Sequence, residues 1–380
     1  MHLSVALDGT GWHPAAWREP RARPLELLTA RYWADLVTEA ERGLLDFVTI
    51  EDEFGVRSAR ADQVTGRLDA VLIAARVAPL TRRIGLVPTV VVTHTEPFHI
   101  SKAIATLDYV SNGRAGVRVK MSASAAEAAL FGRRTIPPVP LTDPDNPERR
   151  RLLRSLLTET ADYVEVIRLL WDSWEDGAEV RDAAAGRFVD RDKLHYIDFA
   201  GEFFGVRGPS ITPRPPQGQP LVAALGHGDA VYDLIASSAD IGFVTPGDAG
   251  HARDIVAKIG AGHVFADLVV FLGPTAEAAR ARKARLDERA GYVYISDATV
   301  FTGTAAQLAG LLVTWRQESG LSGFRLRPGA IPDDLEAITR ELVPLLQAAG
   351  EFRTRYQDST LRGLLGLGRP ASRYAHSGGA

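Results

Sequence analysis

The sequence predicts an α/β fold, a (β/α)8 TIM barrel with insertions. Eight short apolar runs recur along the 380 residues, and each is followed by a stretch with helical spacing. The runs are apolar on both faces, as parallel strands covered by helices must be. The length suits one barrel, since barrels commonly exceed about 250 residues as a single unit. An open doubly wound sheet is the alternative that the same alternation permits.

In chain order, "LSVALD" (3–8) precedes a helix over 30–43, where Trp33, Leu36, Val37 and Ala40 share one face. "DFVTIED" (46–52) precedes a helix over 67–78, and "RIGLVPTVV" (83–91) one over 99–111. "GRAGVRVKMS" (113–122) leads into a longer detour. The alternation resumes at "QPLVAAL" (219–225), "DIGFVTP" (240–246), "VFADLVVFLG" (264–273) and "GFRLRP" (323–328). Three segments break this rhythm. Residues 133–150 are rich in proline and charge and read as a mobile excursion; 186–220 reads as short extra strands and turns; 288–304 is a third insertion. The domain is expected to span 1–369, with 370–380 as a frayed tail.

Composition narrows the function. The chain is 46% hydrophobic and 24% charged with a formal net charge of −3, which gives no electrostatic reason to expect nucleic acid or an anionic membrane as partner. It has no cysteine, so disulfides, thiolate metal sites and a cysteine nucleophile are excluded. The N-terminus "MHLSVALDGTGWHP" has no basic start leading into an apolar run, so no signal peptide is expected. No run of apolar residues is long enough to span a bilayer. A cytoplasmic enzyme is the expectation.

The working face of such a barrel is the C-terminal end of its strands. That rule gathers Asp8, Trp12, His13 and Trp17; Glu51, Asp52 and Glu53; Thr89, Thr93, His94 and Glu96; Arg118, Lys120 and Ser122; the 226–228 turn; Thr245; and Arg325 and Arg327. Asp52 reads equally as a cap, and Trp12 and Trp17 as plugs of the mouth. No metal site is expected, because His94 and His99 have no third ligand nearby and no HExxH occurs. Arg118, in mid-strand, needs a partner or a wet mouth to point into. GxGxxG after a strand, GxxxxGK[ST] and GxSxG are all missing. What remains is Gly226-His227-Gly228, a strand-to-helix junction where free N–H groups and the positive end of a helix dipole suit an anion. Asp229 stands at the expected N-cap and would compete for the same donors.

Several stretches together resemble the bacterial luciferase-like flavin-dependent monooxygenases, in the subgroup of nitrilotriacetate and dibenzothiophene-sulfone monooxygenases. They include "YWADLVTEAERGLLDFVTIED", "RRIGLVPTVVVTHTEPFHISKAIATLDYVSNGRAG", "ADYVEVIRLLWDSWEDGA" and "LVPLLQAAGEFRTRYQDSTLRGLLGL". The resemblance implies a two-component enzyme. A partner flavin reductase supplies reduced FMN, and the barrel uses it with O2 to oxygenate a small organic substrate through a flavin peroxide. It also implies a self-associating barrel. By position, Asp52 and Thr93 fall where the family contacts the flavin, and Gly226, His227 and Gly228 where it holds the flavin phosphate. His13 matches a pocket histidine and is the candidate catalytic residue.

The chain departs from the pattern at that site. The family's Trp-Asn-Val-Val-Thr-Ser becomes Val117 to Ser122, which places Arg118 and Lys120 beside the expected flavin while Ser122 persists. The phosphate loop Ala-Gly-Ser-Ser becomes Leu225 to Gly228, and a tyrosine near the phosphate becomes Leu157. Arg118, Lys120 or His227 can restore the lost contacts with charge. The same substitutions leave open an F420-dependent oxidoreductase on this barrel, or a catalytically degenerate flavin-binding subunit.

Overall fold

A computed structural model describes residues 1–375 except 57–59, 140–142 and 144–145. Eight parallel strands close into a barrel: β1 (His2–Leu7), β2 (Phe47–Ile50), β3 (Gly85–Val91), β4 (Gly116–Lys120), β5 (Leu221–Gly226), β6 (Ile241–Val244), β7 (His263–Leu272) and β8 (Gly323–Pro328). Each pairs with the next, and β8 pairs back onto β1. These are the eight apolar runs of the sequence, and closure through β1–β8 excludes the open sheet.

Helices cover the outside. The helix Ala30–Arg42 begins at Thr29, whose hydroxyl accepts the Tyr32 N–H, and it buries Trp33, Leu36, Val37 and Ala40 along one stripe. The helix Pro97–Val110 starts with proline, where the missing N–H costs nothing. Pro147–Asp172 is the longest helix, capped by Asn146, and it carries Trp171 into the core.

The insertions resolve differently. Residues 186–220 hold parts of two small antiparallel pairs, Glu179–Asp182 with Arg187–Val189 and Phe199–Ala200 with Gly205–Val206. The 288–304 insertion contains a strand the sequence pattern did not mark, Thr299–Gly303, paired in parallel with the second half of β7. It has a physical reason. β7 is ten residues long, and β6 matches only its first four, so the rest of that edge needs a partner. The 133–150 excursion lies partly outside the described residues, as does the tail beyond 375. Among the described residues, no helix is long and apolar enough to cross a membrane.

The barrel interior is layered. Its lower layer is apolar, with Phe47, Val87, Leu221, Phe243 and Phe265 packed together and the helix Leu361–Leu364 closing the bottom. Gly85 is required by this closure: a Cβ there would lie 2.5 Å from Leu361 Cδ1 and 2.9 Å from Phe47 Cβ. Gly85→Ala is therefore expected to destabilise by about 1–3 kcal/mol, seen as a lower denaturant midpoint with an unchanged slope. Above that layer the interior turns from apolar to charged.

Candidate functional site

The upper interior is a continuous chain of ion pairs. Strand alternation points Glu51, Arg118, Asp267, Arg325 and Arg327 inward, and parallel register sets Asp267 beside Arg325 and Thr89 beside Arg118. Arg118 Nη1 donates to Glu51 Oε2 at 2.6 Å and to Thr89 Oγ1 at 3.0 Å. Arg325 Nη1 reaches Glu51 Oε1 at 3.4 Å, and its Nε donates to Asp267 Oδ1 at 2.8 Å. Arg327 Nε donates to Asp267 Oδ2 at 2.8 Å, and its Nη1 to Asp297 Oδ1 at 2.6 Å. The guanidiniums also rest on aromatic faces: Arg325 lies 4.0 Å from the Phe243 ring centre and Arg327 4.4 Å from that of Trp12.

Burial on its own would raise the Glu51 pKa, but Arg118, Arg325, Arg327 and Lys120 hold it down at about 2. Asp297 is likewise held at about 2, where Arg327 outweighs burial. Both carboxylates are ionised at neutral pH, which is the condition for the chain of pairs to persist. Arg118 Nε is buried and has no hydrogen-bond partner, so this mouth retains a donor that the protein itself does not use.

The predicted residues lie at or just beyond the C-terminal ends of the barrel strands, with different duties. The Asp52 carboxylate accepts the backbone N–H of Glu53 at 2.8 Å and of Ala70 at 3.0 Å, fixing the loop and the start of the helix Ala70–Val77. Burial raises its pKa despite those two donors. Its carbonyl receives Lys120 Nζ at 3.1 Å. Thr93 and Ser122 are joined directly, Ser122 N donating to Thr93 Oγ1 at 2.9 Å. His227 Nδ1 lies 3.1 Å from Thr245 Oγ1, and its Nε2 lies 3.6 Å from Asp297 Oδ2. The 226–228 turn is thereby tied to the charged chain.

One expectation needs correction. The N-cap of the helix Asp229–Ser238 is Gly228, not Asp229, and no side chain caps it. Asp229 is the first helical residue and turns its carboxylate to Lys258 Nζ at 2.5 Å, so it does not consume the helix's first N–H groups. A Cβ built at Gly228 meets nothing within 4 Å, so backbone and solvent meet there directly. Gly226 has the opposite surroundings: Ile235 and Tyr232 lie 3.0 Å from the Cβ position and press the turn against the helix. His227 is half-exposed, and partial burial together with Arg327 and Arg118 keeps its pKa below the ordinary value even with Asp297 opposing.

His13 is buried, and both of its ring nitrogens are engaged. Nδ1 accepts the Ala15 N–H at 3.1 Å, so Nε2 carries the proton and donates to Asp287 Oδ1 at 3.0 Å. Burial lowers its pKa, which keeps the ring neutral. It braces the loop after β1 against the helix Ala276–Ala290. Beside it opens a cavity of about 310 Å³ lined by Trp12, Trp33, Glu51, Arg67, Tyr292 and Tyr294 among others.

Three functional residues escaped the sequence reading: Asp267, Asp287 and Asp297. For Asp267 a signal existed, since "VFADLVVFL" contains one charge in an otherwise apolar strand and "GFRLRP" offers two arginines at alternate positions. Asp287 and Asp297 sit in a helix and an insertion, where a carboxylate carries no such signal. Among the described residues, no cluster of His, Asp or Glu is arranged to hold a metal ion.

Comparison with known proteins agrees with this architecture. The family model for luciferase-like monooxygenases matches residues 10–341. Nitrilotriacetate monooxygenase component A of Aminobacter aminovorans is 30% identical, over 99% of this chain and 98% of that protein. N-acetyl-S-(2-succino)cysteine monooxygenase of Bacillus subtilis (strain 168) is 29% identical over the same shares. Among solved structures, EDTA monooxygenase from Chelativorans sp. BNC1 superposes with a TM-score of 0.82 at 22% identity, covering 97% of this chain and 99% of that one. A closed barrel with this strand order and relatives matched from end to end make the chain a member of the luciferase-like monooxygenase family, the flavin-dependent monooxygenases.

Proposed function

We propose that the protein is the oxygenase component of a two-component system. In this reading a separate flavin reductase in the cytoplasm delivers reduced FMN, and the barrel uses it with O2 to oxygenate a small organic substrate. The observation that carries the FMN assignment is the open N-terminus of the helix Asp229–Ser238. It has an uncapped start, a glycine with free space at its N-cap, and an imidazole beside it. Phosphate is the anion that such a set of backbone N–H groups and a neutral His227 suit.

The residues in hand have separable tasks. His227, Gly228 and the following amides hold the phosphate, and Gly226 keeps the turn pressed to the helix so that those amides face out. Arg118 and Lys120, with Thr93 and Ser122 strapped together and Asp52 braced by two amides, form the wall for the ring system. Trp12, its indole N–H tied to Ala6 O at 3.2 Å, covers Arg327 and limits entry of water to the mouth. Reduced flavin, when bound, supplies the electrons that activate O2.

Anaerobic titration with reduced FMN, oxidised FMN, reduced riboflavin and reduced F420 tests the reading. Reduced FMN is expected to bind more tightly than reduced riboflavin, and His227→Ala should shrink that difference by about tenfold, the worth of one hydrogen bond to a charged group. A preference for F420 moves the assignment to a deazaflavin oxidoreductase. No saturable binding of any form moves it to a catalytically silent subunit.

A further inference from the structure

We propose that Leu68 limits the length of the substrate's apolar end. It stands as a partition between the cavity at the mouth and a second, apolar cavity between the helices Ala30–Arg42 and Ala70–Val77. This rests on reading the mouth as a monooxygenase site whose neighbouring cavity receives the substrate. The ligand class is a molecule with a slender apolar end that reaches outward from the mouth.

The two cavities share a wall. The first holds about 310 Å³ and the second about 190 Å³, and Trp33 and Leu68 line both. Glu51 marks the inner end of the first, because it belongs to the ion-pair chain inside the barrel. Trp33 and Leu68 mark its outer end, one on a covering helix and the other just before the next. A guest lying along the first cavity meets this wall with its far end. Leu27 and Leu28 line the same cavity, and the Trp33 indole N–H is already given to Leu27 O at 3.0 Å. That end of the guest finds apolar surface, which suits hydrocarbon. Beyond the wall the second cavity is lined by Ala30, Leu72, Ile73 and Val77, with Asp69 and Arg76 beside them.

Leu68 is the adjustable half of the wall. Trp33 is buried and anchored through its indole, whereas Leu68 is half-buried. The backbone around Leu68 is fixed independently of its side chain. Asp69 caps the next helix by accepting the Leu72 N–H at 2.8 Å, and the Ala70 N–H is held by Asp52 at 3.0 Å. A substitution at 68 thus changes the thickness of the partition and leaves its place unchanged. Leu68 stands at N′ and Ile73 at N4, the two positions that staple a helix start, and both line the second cavity. Leu72 is 70% exposed there, apolar surface that a longer hydrocarbon end would cover.

The test titrates the purified full chain, without flavin, with linear alcohols from butan-1-ol to dodecan-1-ol, read by calorimetry and tryptophan emission. In the parent protein affinity is expected to rise about fourfold per methylene and to stop rising at the length that fills the first cavity. Leu68→Ala should move that limit up by about two carbons, with the shorter alcohols unaffected, and Leu68→Phe should move it down. The two substitutions act in opposite directions, so either alone decides if the other fails to fold. Adding Leu72→Glu to Leu68→Ala places a charge in the second cavity and should cancel the added length only. A limit that moves in neither variant, affinity that climbs without a limit in the parent, or no saturable binding of any alcohol overturns the proposal. So does a change of mass in solution in the Leu72→Glu single variant, which gives the second cavity to another copy of the chain. Because no flavin is present, these outcomes bear on the partition alone. Failure of reduced FMN to bind, with the limit still moving, removes the oxygenase reading and keeps the partition.

Discussion

Asp267→Asn is expected to lower folding stability by about 3–5 kcal/mol, the range for stranding buried charges when one member of an ion-pair group is removed. Asp267 has no solvent exposure and is the shared partner of Arg325 and Arg327, which are themselves buried. With asparagine in its place, each guanidinium keeps one carboxylate: Glu51 at 3.4 Å for Arg325 and Asp297 at 2.6 Å for Arg327. Asp297 already accepts from both Nη groups of Arg327, at 2.6 and 3.1 Å, so Arg325, left with the one long contact to Glu51, is the less compensated of the two. Chemical denaturation at pH 7 measures the loss. Adding Arg325→Met to Asp267→Asn should recover part of it, because the less compensated cation is then gone and its volume is refilled by an apolar side chain. A loss below about 1 kcal/mol would mean that water reaches these arginines and the chain of pairs is a surface feature.

What could be read from the sequence follows from how local each signal is. The eight barrel strands were legible because burial on both faces forces an unbroken apolar run, and the helix Ala30–Arg42 because its buried stripe repeats at helical spacing. The strand Thr299–Gly303 was not: it fills an edge left by the shortness of β6, which is a property of two other strands. The site divides in the same way. A mid-strand Arg118 announces that a partner must exist, but that partner, Glu51, lies 67 positions earlier and is found only once the barrel closes. Asp52, one residue further into the loop after β2, meets backbone amides instead, a difference of one position that no composition reveals. Asp229 misled because capping depends on backbone angles at Gly228 that the residue types do not dictate.

Acid should dismantle the mouth before the rest of the barrel, and Glu51 is the group to follow. Its ordinary pKa is 4.5, and in the folded protein burial is overridden by Arg118, Arg325, Arg327 and Lys120, which bring it to about 2. Between those values the unfolded chain binds more protons than the native one, so stability rises with pH across the interval. The contribution is fully present above about pH 4.5 and is lost as pH falls toward 2; for Glu51 it is about 3 kcal/mol. Asp297, held near 2 by Arg327, adds to the slope in the same direction. Glu51→Gln should lower stability at pH 7 and flatten the dependence between pH 5 and 3, as followed by urea midpoints at half-unit steps. In the variant Arg118 loses its carboxylate and keeps only Thr89, 3.0 Å away, so a buried cation is left to neutral partners. If the acid slope of Glu51→Gln matches that of the parent protein, the low pKa belongs elsewhere, and Arg118 is not held in the mouth by this pair.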